Sequence, residues 1–176
     1  MRSRDLALTA LLSSTAVVLR LSKNWALGPV QFVNIPLVFA VVAGRLVGVV
    51  GGALVGVLGF LLTDLFLGFG PWSLVDSALN GLIGSLWGVT RGRRISVPAM
   101  AALVYLSAFA YDVLSSTLLY AVFGLSLEKA FLTGLAGLFI PVYGGGLVGV
   151  GPVTEATTTV LAVAILRALE ARGFQK

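Results

Sequence analysis

The segment VPAMAALVYLSAFAYDVLSSTLLYAVF, from Val97 to Phe123, holds 27 residues and a single charge, Asp112. A run of this kind leaves few options. A helix that crosses the hydrocarbon of a bilayer needs about 20 apolar residues, with a range of about 17–25. The segment is therefore expected to be a transmembrane helix, and Asp112 stands where hydrocarbon would otherwise be. The rest of the chain repeats the pattern. It is 58% hydrophobic and 11% charged over 176 residues, against about 25% charged in an ordinary soluble domain. These values point to an all-α, polytopic membrane protein organised as one domain over residues 1–176.

Six membrane helices are expected, with a partly helical loop between the fifth and the sixth. The helices are placed at about Leu6–Leu21, Asn34–Gly44, Leu46–Phe66, Trp72–Thr90, Val97–Phe123 and Val153–Leu169. The N-terminal MRSRDLALTALLSSTAVVL resembles a secretory leader in its basic start and apolar run, but reads as a first membrane helix. SKNWALGPVQF is expected to be a loop after the first helix. Pro36 suits the first turn of the second. Between the last two helices, LSLEKAFLTGLAGLFIPVY is apolar and about one short helix long, whereas GGGLVGVGP is too rich in glycine for a stable helix. The region 126–143 is thus an interfacial or re-entrant element, or else a seventh span.

Charge separates these alternatives, because cytoplasmic loops collect Lys and Arg. With six spans and the N-terminus inside, Arg2, Arg4, Arg45, Arg91, Arg93, Arg94, Arg167, Arg172 and Lys176 lie inside. Arg20, Lys23 and Lys129 lie outside, a bias of nine to three. A seventh span would reduce it to six against six. Six spans with both termini cytoplasmic is the better arrangement. The basic residues fall in short groups between apolar runs rather than on one polar face, which argues against nucleic acid as a partner. The sequence has no cysteine and no histidine. That removes disulfides, thiolate chemistry, the usual zinc sites and histidine-based acid–base catalysis. No cofactor is expected, and the chain does not read as an enzyme. Carboxylates near the apolar segments still offer ligands to a hard cation.

Two glycine patterns concern packing. Gly44, Gly48, Gly52 and Gly56 recur every four residues, as do Asn80, Gly84 and Gly88. Spaced this way on a helix they form a small-residue face that lets backbones approach closely. Trp25 and Trp72 suit an outer aromatic belt, and Trp87 an inner one.

The polar residues converge in depth. Asp112 lies 15 residues beyond Val97, so about 22 Å into a core about 30 Å thick. It belongs to the outer half, on a face with Tyr105, Ala108, Ser115, Ser116 and Leu119. Asn34 opens the second helix, Asp76 and Asn80 the fourth, and Glu155, Thr158 and Thr159 the sixth, all toward the same side. A carboxylate at mid-bilayer costs roughly 2.5–3.5 kcal/mol and calls for a partner. A channel needs polar groups along its whole length, and a proton relay needs them across the membrane. A cup open to the outside needs them on one side. Asn34, Asp76, Asn80, Asp112 and Glu155, with Trp25 and Tyr143 in loops, are therefore the candidate ligands of a small amphipathic solute. Plainer roles stay open for each acid. Asp112 could bond a neighbouring helix, Asp76 and Glu155 could cap or charge helix starts, and Asp64 could be a wetted rim residue.

The pair IPLVFAVVAGRLVGVVGGALVGVLGFLLTDLF, the following SLVDSALNGLIGSLWG with its basic linker, and YDVLSSTLLYAVFGLSL together resemble the substrate-binding S component of an energy-coupling-factor transporter. The resemblance spans nearly the whole chain and lies in element lengths and glycine placement. It implies capture of a vitamin or related micronutrient from outside, at a pocket toward the outer face. It also implies three partners, a transmembrane coupling subunit and two cytoplasmic ATPases. In that family an Ala-x-x-x-Ala face on the first helix slides against the coupling subunit. Here the nearest match is Ala10-x-x-x-Ser14, which with Ala7 would form the interface, beside Thr9-x-x-x-Ser13. The His-bearing N-terminus of metal-transporting members is absent. A second family, the membrane scaffolds of the MreD cell-shape type, is similar in size and in a loop-proximal aspartate such as that in LLTDLFLG.

Overall fold

The structure is a computed structural model that describes residues 1–28, 30–140 and 150–173. Its described residues form seven helices: α1 (Ser3–Leu27), α2 (Ile35–Val47), α3 (Val49–Leu67), α4 (Pro71–Gly88), α5 (Val97–Val122), α6 (Leu127–Gly137) and α7 (Val150–Ala171). Four of them, α1, α3, α5 and α7, are long and apolar enough to cross a membrane, the mark of a helical membrane protein. α2 has 13 residues, about 20 Å of helix. α6 has 11, about 16 Å, and neither length alone reaches across a core of about 30 Å.

Helix α2 forms the centre. Every one of its residues is buried, against α1, α3, α4 and α7. A helix that is apolar all round finds its place inside a larger assembly. Asn34 caps it, with its side-chain oxygen accepting from the Leu37 N–H at 3.1 Å, and Pro36 occupies the first turn. The outer helices are the reverse. Leu6, Leu11, Val18, Leu54, Leu62, Leu106 and Val160 are among many large apolar side chains exposed on their surfaces. In water such a surface would drive association; against lipid it needs no cover.

Gly48 corrects the reading of the four-residue glycine repeat. It is the sole residue between α2 and α3, and its φ of +102° lies in the left-handed region that side chains avoid. The chain reverses there, so Gly44 lies on α2 while Gly52 and Gly56 lie on α3. The four do not share one helix face. Folding back at Gly48 instead brings Gly44 and Gly52 onto the same stretch of α4, around Gly84. A Cβ at Gly44 would lie 2.5 Å from the Gly84 carbonyl oxygen, and one at Gly56 2.5 Å from that of Asn80. Real Cβ atoms do not approach backbone this closely, so three helices meet there only because the side chains are missing.

Other expectations change too. SKNWAL is helical, and α1 ends only at Gly28, whose φ is +77°. No proline or glycine interrupts the helix before that point. Trp87 is buried rather than belt-like, donating its indole N–H to Ser107 Oγ at 3.0 Å. α7 starts at Val150, inside GGGLVGVGP, whose residues 144–149 fall outside the described ones.

Candidate functional site

The connected helices set two ends. At one, α1 and α3 finish and α4 and α7 begin. At the other, α2, α4 and α7 finish. Ion pairs tie α1 into this frame at both: Arg20 Nη1 reaches Asp64 Oδ1 at 2.7 Å near the end of α3, and Asp5 Oδ1 lies 3.7 Å from Arg91 Nη2 just past α4.

At the first end a cavity of about 230 Å³ opens between α4, α5, the end of α6 and the start of α7. Asp76, Tyr111, Asp112, Ser115, Ser116 and Thr154, with Gln31 from the chain before α2, supply its polar lining. Asp76 accepts a hydrogen bond from Ser115 Oγ, and the Tyr111 phenol faces the same carboxylate. Tyr111 is fixed by stacking on Phe60, with ring centroids 5.9 Å apart. Thr154 Oγ donates to the Gln31 carbonyl, drawing the chain before α2 onto α7. Asp76 and Glu155 both lie near enough to Asp112 to interact with it electrostatically.

The expected ligands divide. Asp76 and Asp112 line the cavity together. Asp76 is the sixth residue of α4 and Glu155 the sixth of α7, beyond the first turn of either helix. The first-turn role considered for both does not hold. Glu155 is 1% exposed, lies beside the Tyr105 phenol, and has an Oε1 with no hydrogen-bond partner among the described residues. One turn along α7, Thr158 Oγ accepts from the Asn34 N–H at 2.9 Å. The Asn34 Nδ2 and Thr159 Oγ also lack partners among the described residues. Asn80 is elsewhere. It is 0% exposed, and its Nδ2 donates to the Gly56 carbonyl at 3.2 Å in the α3–α4 seam. Trp25 stands on the last turns of α1, 76% exposed, and not in a loop. Tyr143 lies outside the described residues.

Asp64 is not a wetted rim residue. It is 2% exposed and paired with Arg20. Arg20 also donates to Thr63 Oγ and, at 3.3 Å, to the Phe60 carbonyl, and its guanidinium lies 4.2 Å over the Phe60 ring. Sequence reasoning missed both Arg20 and Tyr111. For Arg20 a signal existed: a charge at the end of an apolar run needs a partner, and Asp64 has the matching depth. Tyr111, beside Asp112, sits on the buried stripe of α5 with Met100, Val104, Ala108 and Ser115.

On α1, Thr9, Ser13 and Ala16 form the buried face against α3, close to Gly51 and Gly59. Ala7, Ala10 and Ser14 point away from it and are exposed. Among the described residues no cluster of three or more acidic side chains is arranged to hold a metal ion. Comparison of the chain with protein-family models, with curated proteins and with solved structures returns no match.

Proposed function

We propose that the chain is the membrane-embedded substrate-capture subunit of an energy-coupling-factor transporter, binding a vitamin or related micronutrient from outside for ATP-driven uptake. The cavity between α4, α5 and α7 carries this reading. Its polar groups gather at one end, and Glu155, which acts electrostatically on the lining residue Asp112, has a buried Oε1 without a partner among the described residues. A buried polar atom left unbonded costs about 1–3 kcal/mol. A bound solute with several donors and acceptors would remove that cost. Between the two ends the helices pack through the apolar core of α2, which fits a cup better than a channel lined by polar groups along its length.

In this reading the chain has six spans in the cell membrane. α2 and α4 cross inside the shell of α1, α3, α5 and α7, and α6 lies at the outer interface. α2, wrapped in protein, has no need to match the hydrocarbon thickness. Both termini face the cytoplasm, an arrangement the nine-to-three charge bias supports. Ala7, Ala10 and Ser14 form the face for the coupling subunit, which recruits the two ATPases. Their exposure, with α1 packed by its other side, supports this.

The test is chemical identification of what the protein holds. The full chain, purified in a neutral detergent and then denatured, should release one small polar molecule in near-stoichiometric amount, identified by mass spectrometry. Ala10→Trp should abolish uptake of that molecule while leaving its binding intact. A purified protein that releases no solute would favour the membrane-scaffold reading, and normal uptake by Ala10→Trp would overturn the proposed coupling face. For topology, cysteines at Ser3 and at Glu128 should respond oppositely to an impermeant thiol reagent in intact cells, with Glu128→Cys labelled and Ser3→Cys protected.

A further inference from the structure

The second end of the molecule carries a cavity that the capture reading does not use. It measures about 370 Å³ and is lined by Arg45, Gly92, Arg93, Arg94, Ile95, Arg167 and Glu170. Four guanidinium groups face one carboxylate, a net charge of +3. That carboxylate is already shared, with Glu170 Oε1 3.6 Å from Arg45 Nη2 and Oε2 3.3 Å from Arg167 Nη1.

Arg45 makes the cavity a built one. It is 1% exposed, in the last turn of α2. Its guanidinium donates to the Thr90 carbonyl and, at 3.2 Å, to the Arg93 carbonyl. A buried arginine thus pins the linker after α4 at two points, so that Arg93 and Arg94 project from an anchored backbone. Arg167 arrives from α7, and both it and the linker arginines are exposed. Guanidinium groups converging on one space repel one another, and an anion between them reverses that term. The guanidinium fork matches the oxygens of a phosphate in pairs.

We propose that this cavity is a binding site for a phosphate-bearing anion, held by Arg93, Arg94 and Arg167, with Arg45 as the positioning residue. It lies where α2 and α7 end, the level at which an apolar helix leaves hydrocarbon and meets headgroups. Basic pockets between helices at that level suit phospholipid headgroups, and a soluble phosphate offers the same oxygens. The proposal does not depend on the substrate-capture reading.

The test uses the purified full chain in dodecyl maltoside. Thermal unfolding is followed while phosphatidylglycerol, phosphatidylcholine or inorganic phosphate is added, and bound lipid is counted by native mass spectrometry. Phosphatidylglycerol should raise the midpoint saturably with one lipid bound, and phosphatidylcholine should not. Arg94→Gln and Arg167→Gln should each weaken the response about fivefold, since a basic residue near an anionic headgroup contributes about 1 kcal/mol. Both changes are at exposed side chains, so the fold should persist; if one variant is not recovered, the other answers. A response to inorganic phosphate of equal affinity would assign the site to a soluble phosphate ligand, and a response to the lipid alone to a headgroup. Equal stabilisation by phosphatidylcholine, no response to either phosphate source, or an unchanged response in the variants would overturn the site.

Discussion

At the end of the molecule where α4 and α7 begin, a cavity is lined by Asp76 and Asp112. Some 20 Å away along α7, where that helix finishes, another is lined by four arginines. The two ends hold their ionisable side chains by different means. Asp76 is held by neutral groups, the hydroxyls of Ser115 and Tyr111. Arg45 is held mainly by backbone carbonyls of a linker. Helix dipoles favour cations in the last turn of a helix, and Arg45 occupies that place in α2. Asp76 and Glu155 lie past the first turn, where the dipole contributes little. The basic end follows from local helix chemistry plus one anchor. The acidic end exists only because four separate segments meet there, and its carboxylates are less completely paid for by protein alone.

The largest effect is expected where the two ends share a support. Gly84 packs against the backbone of α3 and faces Ala40 of α2, and the contact is made by backbone, so no rotamer change can relieve a larger residue. Gly84→Val should destabilise by more than about 4 kcal/mol, the exceptional range for one substitution, and remove both cavities together. Chemical denaturation read by fluorescence from each end would check it. Loss at one end alone would mean that the ends fold independently.

Arg20→Ala should come next. It leaves Asp64 buried without its cation, which for a buried pair costs about 3–5 kcal/mol. The double change Arg20→Met with Asp64→Leu should recover most of the loss, because two apolar side chains need no partner. Equal instability of the single and double variants would show that Arg20 acts through Phe60 and Thr63 rather than through charge.

Asp112→Asn sharpens the acidic end specifically. If Asp112 bonds the solute, affinity should fall by about 1.5–3 kcal/mol, about 10- to 150-fold, with the melting midpoint little changed. If it serves only to join helices, the midpoint moves and affinity does not. Titration and melting of the same preparation distinguish these outcomes.

The smallest effect belongs to Glu170→Gln at the basic end. The pair with Arg45 spans 3.6 Å and Glu170 is partly exposed, so stability should change by less than about 1 kcal/mol. Phosphatidylglycerol should bind this variant more tightly, since the acid in the cavity lining is gone. Weaker binding would assign Glu170 a role in holding the arginines in place.

The sequence by itself determined the helical class, the approximate limits of the helices apart from the end of α1, and the short element before α7. Those features depend on local quantities: the length of apolar runs, proline at helix starts, and glycine where a helix must stop. It also brought Asp76 and Asp112 to a common depth, because depth is a count of residues along a helix. What it could not decide is which way a side chain of given depth faces. Asp76 and Asn80 are one turn apart in α4, yet one turns to Ser115 of α5 and the other to Gly56 of α3. The split is set by where α3 and α5 lie around α4, and no interval within α4 contains that information. The same holds for the glycines. Their spacing announced close packing, but a repeat of four reads alike on one helix or on two joined by a reversal. Only the tertiary structure, with Gly48 at positive φ, folded the repeat onto α4. Arg20 and Asp64 stand 44 positions apart and meet because α1 and α3 run side by side; their matching depth makes the pair possible, and packing decides it.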